Sequence, residues 1–196
     1  VIVEPPCACD PSQFLDIAGI VDTAKSPANH DNAAAGFAPD SLAHVSTNRE
    51  IELPCGRLFV NELSVDSSLA TLTIRVPGRT ALFVDGDVHA LGVINLELGP
   101  DAELDVFVRG NFVLAGIQAA GNSTKPAALR VYVGGSEGIL LSGITAFTGN
   151  LYAPRATVTV AGIQDIYGAV FAGNFNAGGI ANVHYDRAIV DKGRDC

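Results

Sequence analysis

The chain has 196 residues, of which 48% are hydrophobic, 21 are glycine and none is Met or Trp. This length supports one domain with a core of its own, and the Ala, Val, Ile, Leu and Gly bias suits narrow, closely stacked β-strands. The formal charge of −9 argues against nucleic acid and anionic membrane as partners, and no apolar run approaches a membrane span.

The charge is uneven. Residues 1–110 carry 16 acidic and 6 basic side chains, a net of −10, whereas residues 111–196 carry 5 and 6, a net of +1. A rod built in chain order would have electrostatically different ends. A chain that opens on Val1 and contains no methionine is expected to be a processed product or an excised fragment, its leader or lipid anchor removed. The four cysteines, Cys7, Cys9, Cys55 and Cys196, read as two disulfides and hence as export. Three pairings exist. Cys7 and Cys9 are too close to pair comfortably, which favours Cys9–Cys55 with Cys7–Cys196. Zinc is disfavoured because no Cys-x-x-Cys or His spacing accompanies them.

Val1 to Asp10 is extended and proline-rich. Phe14, Leu15, Ile17, Ile20 and Val21 then fall near helical spacing, with Asp10 or Ser12 available as a cap, which predicts a helix over 12–25 interrupted by Gly19. Residues 26–38 read as a loop, and Pro39 to His44 as a short helical turn. Residues 1–49 thus form an N-terminal segment that packs on the rest of the chain.

From Glu50 onward the chain is strand-like and repetitive. Six stretches align on an aromatic residue: RLFVN, ALFVD, DVFVR, RVYVG, NLYAP and AVFAG. The aromatics are Phe59, Phe83, Phe107, Tyr132, Tyr152 and Phe171, at intervals of 24, 24, 25, 20 and 19. A second column, Gly92-Val93, Gly116-Ile117, Gly143-Ile144, Gly162-Ile163 and Gly179-Ile180, recurs in step. Residues such as Gly86-Asp87, Gly110-Asn111 and Gly173-Asn174 suit the corners between. The pattern predicts an all-β protein: a right-handed parallel β-helix, or β-solenoid, of about six rungs over residues 50–196 with an N-terminal helical cap.

Strand alternation assigns the faces. Each aromatic is flanked by two aliphatic residues, as in Leu58/Val60 and Leu82/Val84, and two such columns on one face must point inward. The six aromatics therefore form an outer stripe. Either the N-terminal helix covers it with Phe14, Leu15 and Ile17, or a second molecule does. The inner column shrinks to Ala153 and Ala172 in the last rungs, where Tyr152 and Phe171 are the rings least assured of cover.

The stretches GNLYAPRATVTV, DIYGAVFAGN and NVHYDRAI, with Cys7-Ala8-Cys9, Leu53-Pro54-Cys55-Gly56 and Cys196, resemble a β-solenoid domain of exported bacterial proteins. Such domains occur in type IV pilus-associated, minor-pilin-like proteins and in myxobacterial surface proteins with an opening Cys-x-Cys. The resemblance implies a Gram-negative envelope or extracellular setting and a structural or adhesive role. It supplies no catalytic residue.

Candidate chemistry is thin. Gly134-Gly135-Ser136-Glu137-Gly138 matches the G-x-S-x-G pattern, but a strand comes next where a nucleophile elbow needs a helix, so Ser136 reads as a corner residue. Asp85 and Asp105 are the weak calcium candidates, by analogy with β-solenoids that cleave acidic polysaccharides; an exposed ion pair between Asp85 and Arg109 is the simpler reading. His184 and Asp186 share a strand face and read as a terminal hydrogen-bonding cluster. The expectation is a non-enzymatic structural protein without a cofactor. It would be self-associating into oligomers or fibres through the solenoid ends or the aromatic stripe, with an adhesin for polysaccharide or surface protein as the alternative.

Overall fold

The computed structural model describes residues 11–114, 119–121, 124–142 and 145–185. The chain winds into a coil whose strands pair in parallel with those one turn away. The first turn is β1 (Arg49–Glu52), β2 (Gly56–Val60) and β3 (Leu63–Val65); the second β4 (Thr71–Val76), β5 (Arg79–Val84) and β6 (Val88–Ala90). The third is β7 (Val93–Leu98), β8 (Glu103–Val108) and β9 (Phe112–Leu114); the fourth β10 (Ala119–Ala120), β11 (Leu129–Val133) and β12 (Ile139–Ser142). Then β13 (Thr145–Ala161) and β14 (Ile163–Ala177) each take a full turn as one continuous strand, and β15 (Ile180–His184) starts another. The coil makes about five turns rather than about six rungs. The aromatic face stacks six strands, and six strands enclose five intervals.

The register is the one the aromatic column calls for. Phe59 pairs with Phe83, Phe83 with Phe107, Phe107 with Tyr132, Tyr132 with Tyr152 and Tyr152 with Phe171. The residues on either side point inward. From Leu58 and Val60 to Leu151 and Ala153, no member of the two inner columns is more than 5% exposed. Each large aliphatic side chain buried in this way contributes about 1.5–3 kcal/mol. Of the second column, Ile163 and Ile180 pair as expected, while Gly116, Ile117, Gly143 and Ile144 lie outside the described residues.

The late turns are tighter because their corners shorten. Ala153 pairs with Ala172, but Thr157 pairs with Asn174, so three corner residues face one across the step. Backbones then approach closely enough to require glycine. A Cβ on Gly168, whose φ is 134°, would lie 2.0 Å from the Gly149 carbonyl, and one on Gly179 would lie 2.1 Å from the Gly162 carbonyl.

The first turn is sealed by the segment before it, where the sequence predicted only a loop. Here α2 (Asn32–Ala35) makes one helical turn, ended by Gly36 in the left-handed conformation. Asn32, which is buried, clamps the edge of β2: its Nδ2 donates to the Phe59 carbonyl (2.7 Å) and its Oδ1 accepts from the Phe59 N–H (2.8 Å). Asp31 accepts from the Arg57 N–H (2.8 Å) and donates its own N–H to the Arg57 carbonyl (2.7 Å). Further on, Leu42 and Val45 exchange backbone bonds with Ser64 and Asp66 along β3. Phe37, Leu42 and Val45 close the core at this pole. The edge left over, β1, carries Arg49, Glu50 and Glu52, charges that discourage further pairing.

The helix expected over 12–25 is shorter. A 3-10 turn covers Pro11–Gln13, and α1 (Ile17–Ala24) comes after it. The cap is Asp16, not Asp10 or Ser12: its Oδ1 accepts from the Gly19 N–H (3.0 Å). Gly19 serves this cap, because a Cβ there would meet the Asp16 carboxylate at 2.5 Å. Ile17, Val21 and Ala24, on one helix face, are fully buried against Phe59 and Phe83. Leu15, expected to bury, is 41% exposed; its N–H donates instead to the Tyr152 hydroxyl (3.1 Å).

The seal yields a prediction. Asn32→Ala leaves both peptide groups of the Phe59 edge without partners, and should lower unfolding free energy by about 2 kcal/mol in urea titrations followed by circular dichroism.

Candidate functional site

Both calcium candidates are held by cations on the outer face. The Asp85 Oδ2 accepts from Lys25 (2.7 Å) and its Oδ1 from Arg109 (2.9 Å), whose guanidinium also reaches Asp22 on α1 (2.6 Å). Burial opposes ionisation of Asp85, but the Lys25 and Arg109 bonds outweigh it and hold its carboxyl below the usual carboxylate range. The expected Asp85–Arg109 ion pair is therefore present, as part of a network that also anchors α1.

Asp105 belongs to a second, more enclosed cluster. Arg130 forks onto it, Nε to Oδ1 (2.5 Å) and Nη2 to Oδ2 (2.9 Å), and also donates to Glu103 (2.9 Å) and to the Ala127 carbonyl (3.0 Å). The bond to Asp105 pushes the Arg130 guanidinium further above its ordinary range, against the cost of burial. Burial, and then the Asp105 charge, raise the phenol of neighbouring Tyr132. Arg130 sits beside Asp105 because Tyr132 follows Phe107 by one turn, a pairing implicit in the aromatic spacing. A calcium ion at either carboxylate would have to displace an arginine.

The aromatic stripe is a stack of rings under the strap that residues 11–30 form. Centroids lie 5.2 Å apart for Phe83–Phe107, 4.6 Å for Phe107–Tyr132, 6.2 Å for Tyr132–Tyr152 and 5.1 Å for Tyr152–Phe171. His30 continues the stack over Phe59 at 5.7 Å, and Phe14 meets Phe171 edge-on at 6.3 Å. Phe59 and Phe83 are buried; Phe171 is 43% exposed. As an association surface the stripe is closed by its own chain at Phe59 and Phe83, half-buried from Phe107 to Tyr152 and most open at Phe171.

A group of which the sequence singled out only His184 lies at the far end. Tyr167 of β14 and His184 of β15 stack at 4.5 Å and 10°. Beside them Asp165 accepts from Asn182 (3.1 Å) and lies 3.5 Å from His184 Nε2. The 17-residue interval between the last glycine pairs would have aligned Asp165 with Asn182 and Tyr167 with His184. The expected partner Asp186 lies outside the described residues. At this pole the inward positions of the last strands, Phe175 and Val183, are 43% and 52% exposed.

Ser136 occupies a corner: Gly135 donates to the Gly110 carbonyl (2.9 Å), Glu137 donates to Asn111 Oδ1 (3.2 Å), and β12 begins just beyond. Cys55 is exposed between β1 and β2. It has no disulfide partner among the described residues, and Cys7, Cys9 and Cys196 lie outside them.

Residues 11–192 match the family model described as a domain of unknown function, DUF7305. The chain belongs to this family. No curated protein and no solved structure matches it. The DUF7305 match starts at Pro11, so it takes in the strap and the sealing segment as well as the coil.

Two predictions concern these charges. Asp105→Ala leaves Arg130 half-enclosed with Glu103 and the Ala127 carbonyl as its partners, and should cost about 1–2 kcal/mol by chemical denaturation. At the first pole, His44, with φ of 55°, bonds Asp66 through Nδ1 (2.9 Å) and lies 3.3 Å from Glu62. The Asp66 bond, then the Glu62 and Asp66 charges, raise its pKa above 6.5. Its contribution to stability is fully present below pH about 6.5 and fades as pH rises through the raised value. His44→Asn, which tolerates the left-handed backbone, should abolish that fade in melting curves across pH 6 to 9.

Proposed function

We propose that this chain is a non-enzymatic structural protein of the bacterial cell surface or extracellular space. The observation that carries the reading is that the charged groups picked out as candidate chemistry are spent on holding the coil together. Asp85 and Arg109 fasten the strap, and Asp105, Glu103 and Arg130 tie neighbouring turns. Export rests on the paired-cysteine reading and on the resemblance to Gram-negative surface domains.

Self-association is part of this reading, and the poles shape it. The first pole is sealed, which argues against head-to-tail growth into fibres. The far pole presents Phe171, Phe175 and Val183, which favours a closed pair over an open filament. An adhesin is the second reading, favoured by the Tyr167–His184 stack beside Asp165 and Asn182, since flat rings flanked by amide and carboxylate suit a sugar.

Sedimentation velocity over a hundredfold concentration range, with electron microscopy, is expected to show a reversible dimer without fibres. A concentration-independent monomer would refute self-association, and fibres would refute the pole argument. Depolymerisation of an acidic polysaccharide that Asp105→Asn abolishes would overturn the non-enzymatic role. Glycan-array binding lost in Tyr167→Ala would move the assignment to the adhesin.

A further inference from the structure

Among the described residues β15 pairs with β14 alone, so one of its edges has no strand beside it. The Ile180 N–H donates to the Gly162 carbonyl (2.8 Å). In a parallel ladder, alternate residues bond a given neighbour. Ile180, Asn182 and His184 therefore turn their peptide groups toward β14, and Ala181 and Val183 turn theirs to the free edge. Val183 stands above Ile166, which is fully buried, yet is itself 52% exposed. Hydrogen-bonding groups and an inward apolar side chain are left over on one strand.

A second copy of the chain offers one edge that fits. Its first turn is closed: Asp31 and Asn32 bond the edge of β2, Leu42 and Val45 bond that of β3, and β1 carries Arg49, Glu50 and Glu52. What remains is its own β15. Identical edges that keep their cores on the same side meet about a two-fold axis normal to the sheet, which makes the strands antiparallel.

We propose, on the reading of self-association given above, that two copies join by antiparallel pairing of β15 with β15, centred on Asn182. This register sets Ala181 of each copy opposite Val183 of the other, so every outward N–H and C=O of those residues is bonded. Centring on Ala181 or Val183 instead leaves half of them unbonded within β15. On the core side Ala181 lies beside Val183, apolar against apolar. On the outer side Ile180 faces His184, and Asn182 faces its own counterpart. No like charges meet, whereas the same pairing of β1, centred on Ile51, would set Glu50 against Glu52.

Because Asn182 bonds β14, it meets its counterpart as a non-hydrogen-bonded pair, with Cα atoms about 4.5 Å apart. That lies within the roughly 4.4–6.8 Å a disulfide spans. Asn182→Cys is therefore the test: the residue is exposed, and trypsin leaves it on residues 156–187 with no other cysteine. The variant is treated with oxidised glutathione, which takes two electrons and two protons from a thiol pair, and the dimer fraction is alkylated in denaturant and digested. The expected product is peptide 156–187 joined to itself. Asn176→Cys, exposed on the same peptide but off β15, is the control and should not join.

Val183→Pro removes an N–H that points to the free edge and none that bonds β14, so circular dichroism should be unchanged. In sedimentation it should raise the dimer dissociation constant about tenfold or more; if this variant unfolds, the cross-link decides alone. A dimer that gives no joined peptide, gives it equally from Asn176→Cys, or stays as tight in a folded Val183→Pro overturns the β15 pairing while self-association stands. A wild-type monomer at every concentration overturns both.

Discussion

Every part of this molecule depends on one constraint, the in-register parallel pairing of each turn with the next. Parallel pairing at a fixed spacing makes a residue's closest lateral neighbours those one turn away. A side chain must then be compatible with its own kind repeated along the axis. Aliphatic residues satisfy this by filling the interior from Leu58 to Leu151, and aromatic residues by stacking face over face outside. Charges satisfy it only by alternating in sign. Arg75 lies between Glu50 and Glu97, Arg109 follows Asp85, and Arg130 follows Asp105. The ion pairs are consequences of stacking before they are anything else.

The same constraint leaves every such coil with two unfinished ends, and this one treats them differently. At the first turn, side-chain amide and carboxylate groups from Asp31 and Asn32 stand in for a missing strand, and Phe37, Leu42 and Val45 for a missing core layer. The acidic half of the sequence lies largely at this end. At the other end, the inward side chains Phe175 and Val183 reach solvent among the described residues. The net charge falls to near neutral over the same part of the chain. Polarity of charge and polarity of closure coincide.

How much of this is legible in the sequence depends on how local each feature is. The aromatic column is legible because stacking repeats one residue type at a nearly constant interval, and the interval itself encodes the pairing. Alternation also identifies Asp105 as outward-facing. It does not say which residue lies beside it; that needs the 25-residue step from Phe107 to Tyr132, which brings Arg130 there. The seal is the least legible part. Nothing periodic marks Asn32, because its role is fixed by the free edge of β2, and the one-turn helix around it exists only in that contact. The strap is intermediate: its apolar face is readable, while Asp16 as its cap and the outward turn of Leu15 depend on where the coil presents Tyr152.

The strap's direction has a consequence for assembly on the ribosome. Coils of stacked repeats can ordinarily add turns one after another, each new turn docking on the last. Here the strap, synthesised before the coil, finds its final partners, Tyr152 and Phe171, only when nearly the whole coil has emerged. Until then Ile17, Val21 and the growing ring stack have no complete cover. A molecule that looks modular along its axis is thus closed by a contact of very long sequence separation, a topology that slows the last step and exposes apolar surface before it. The turns form in series, but the domain is finished all at once.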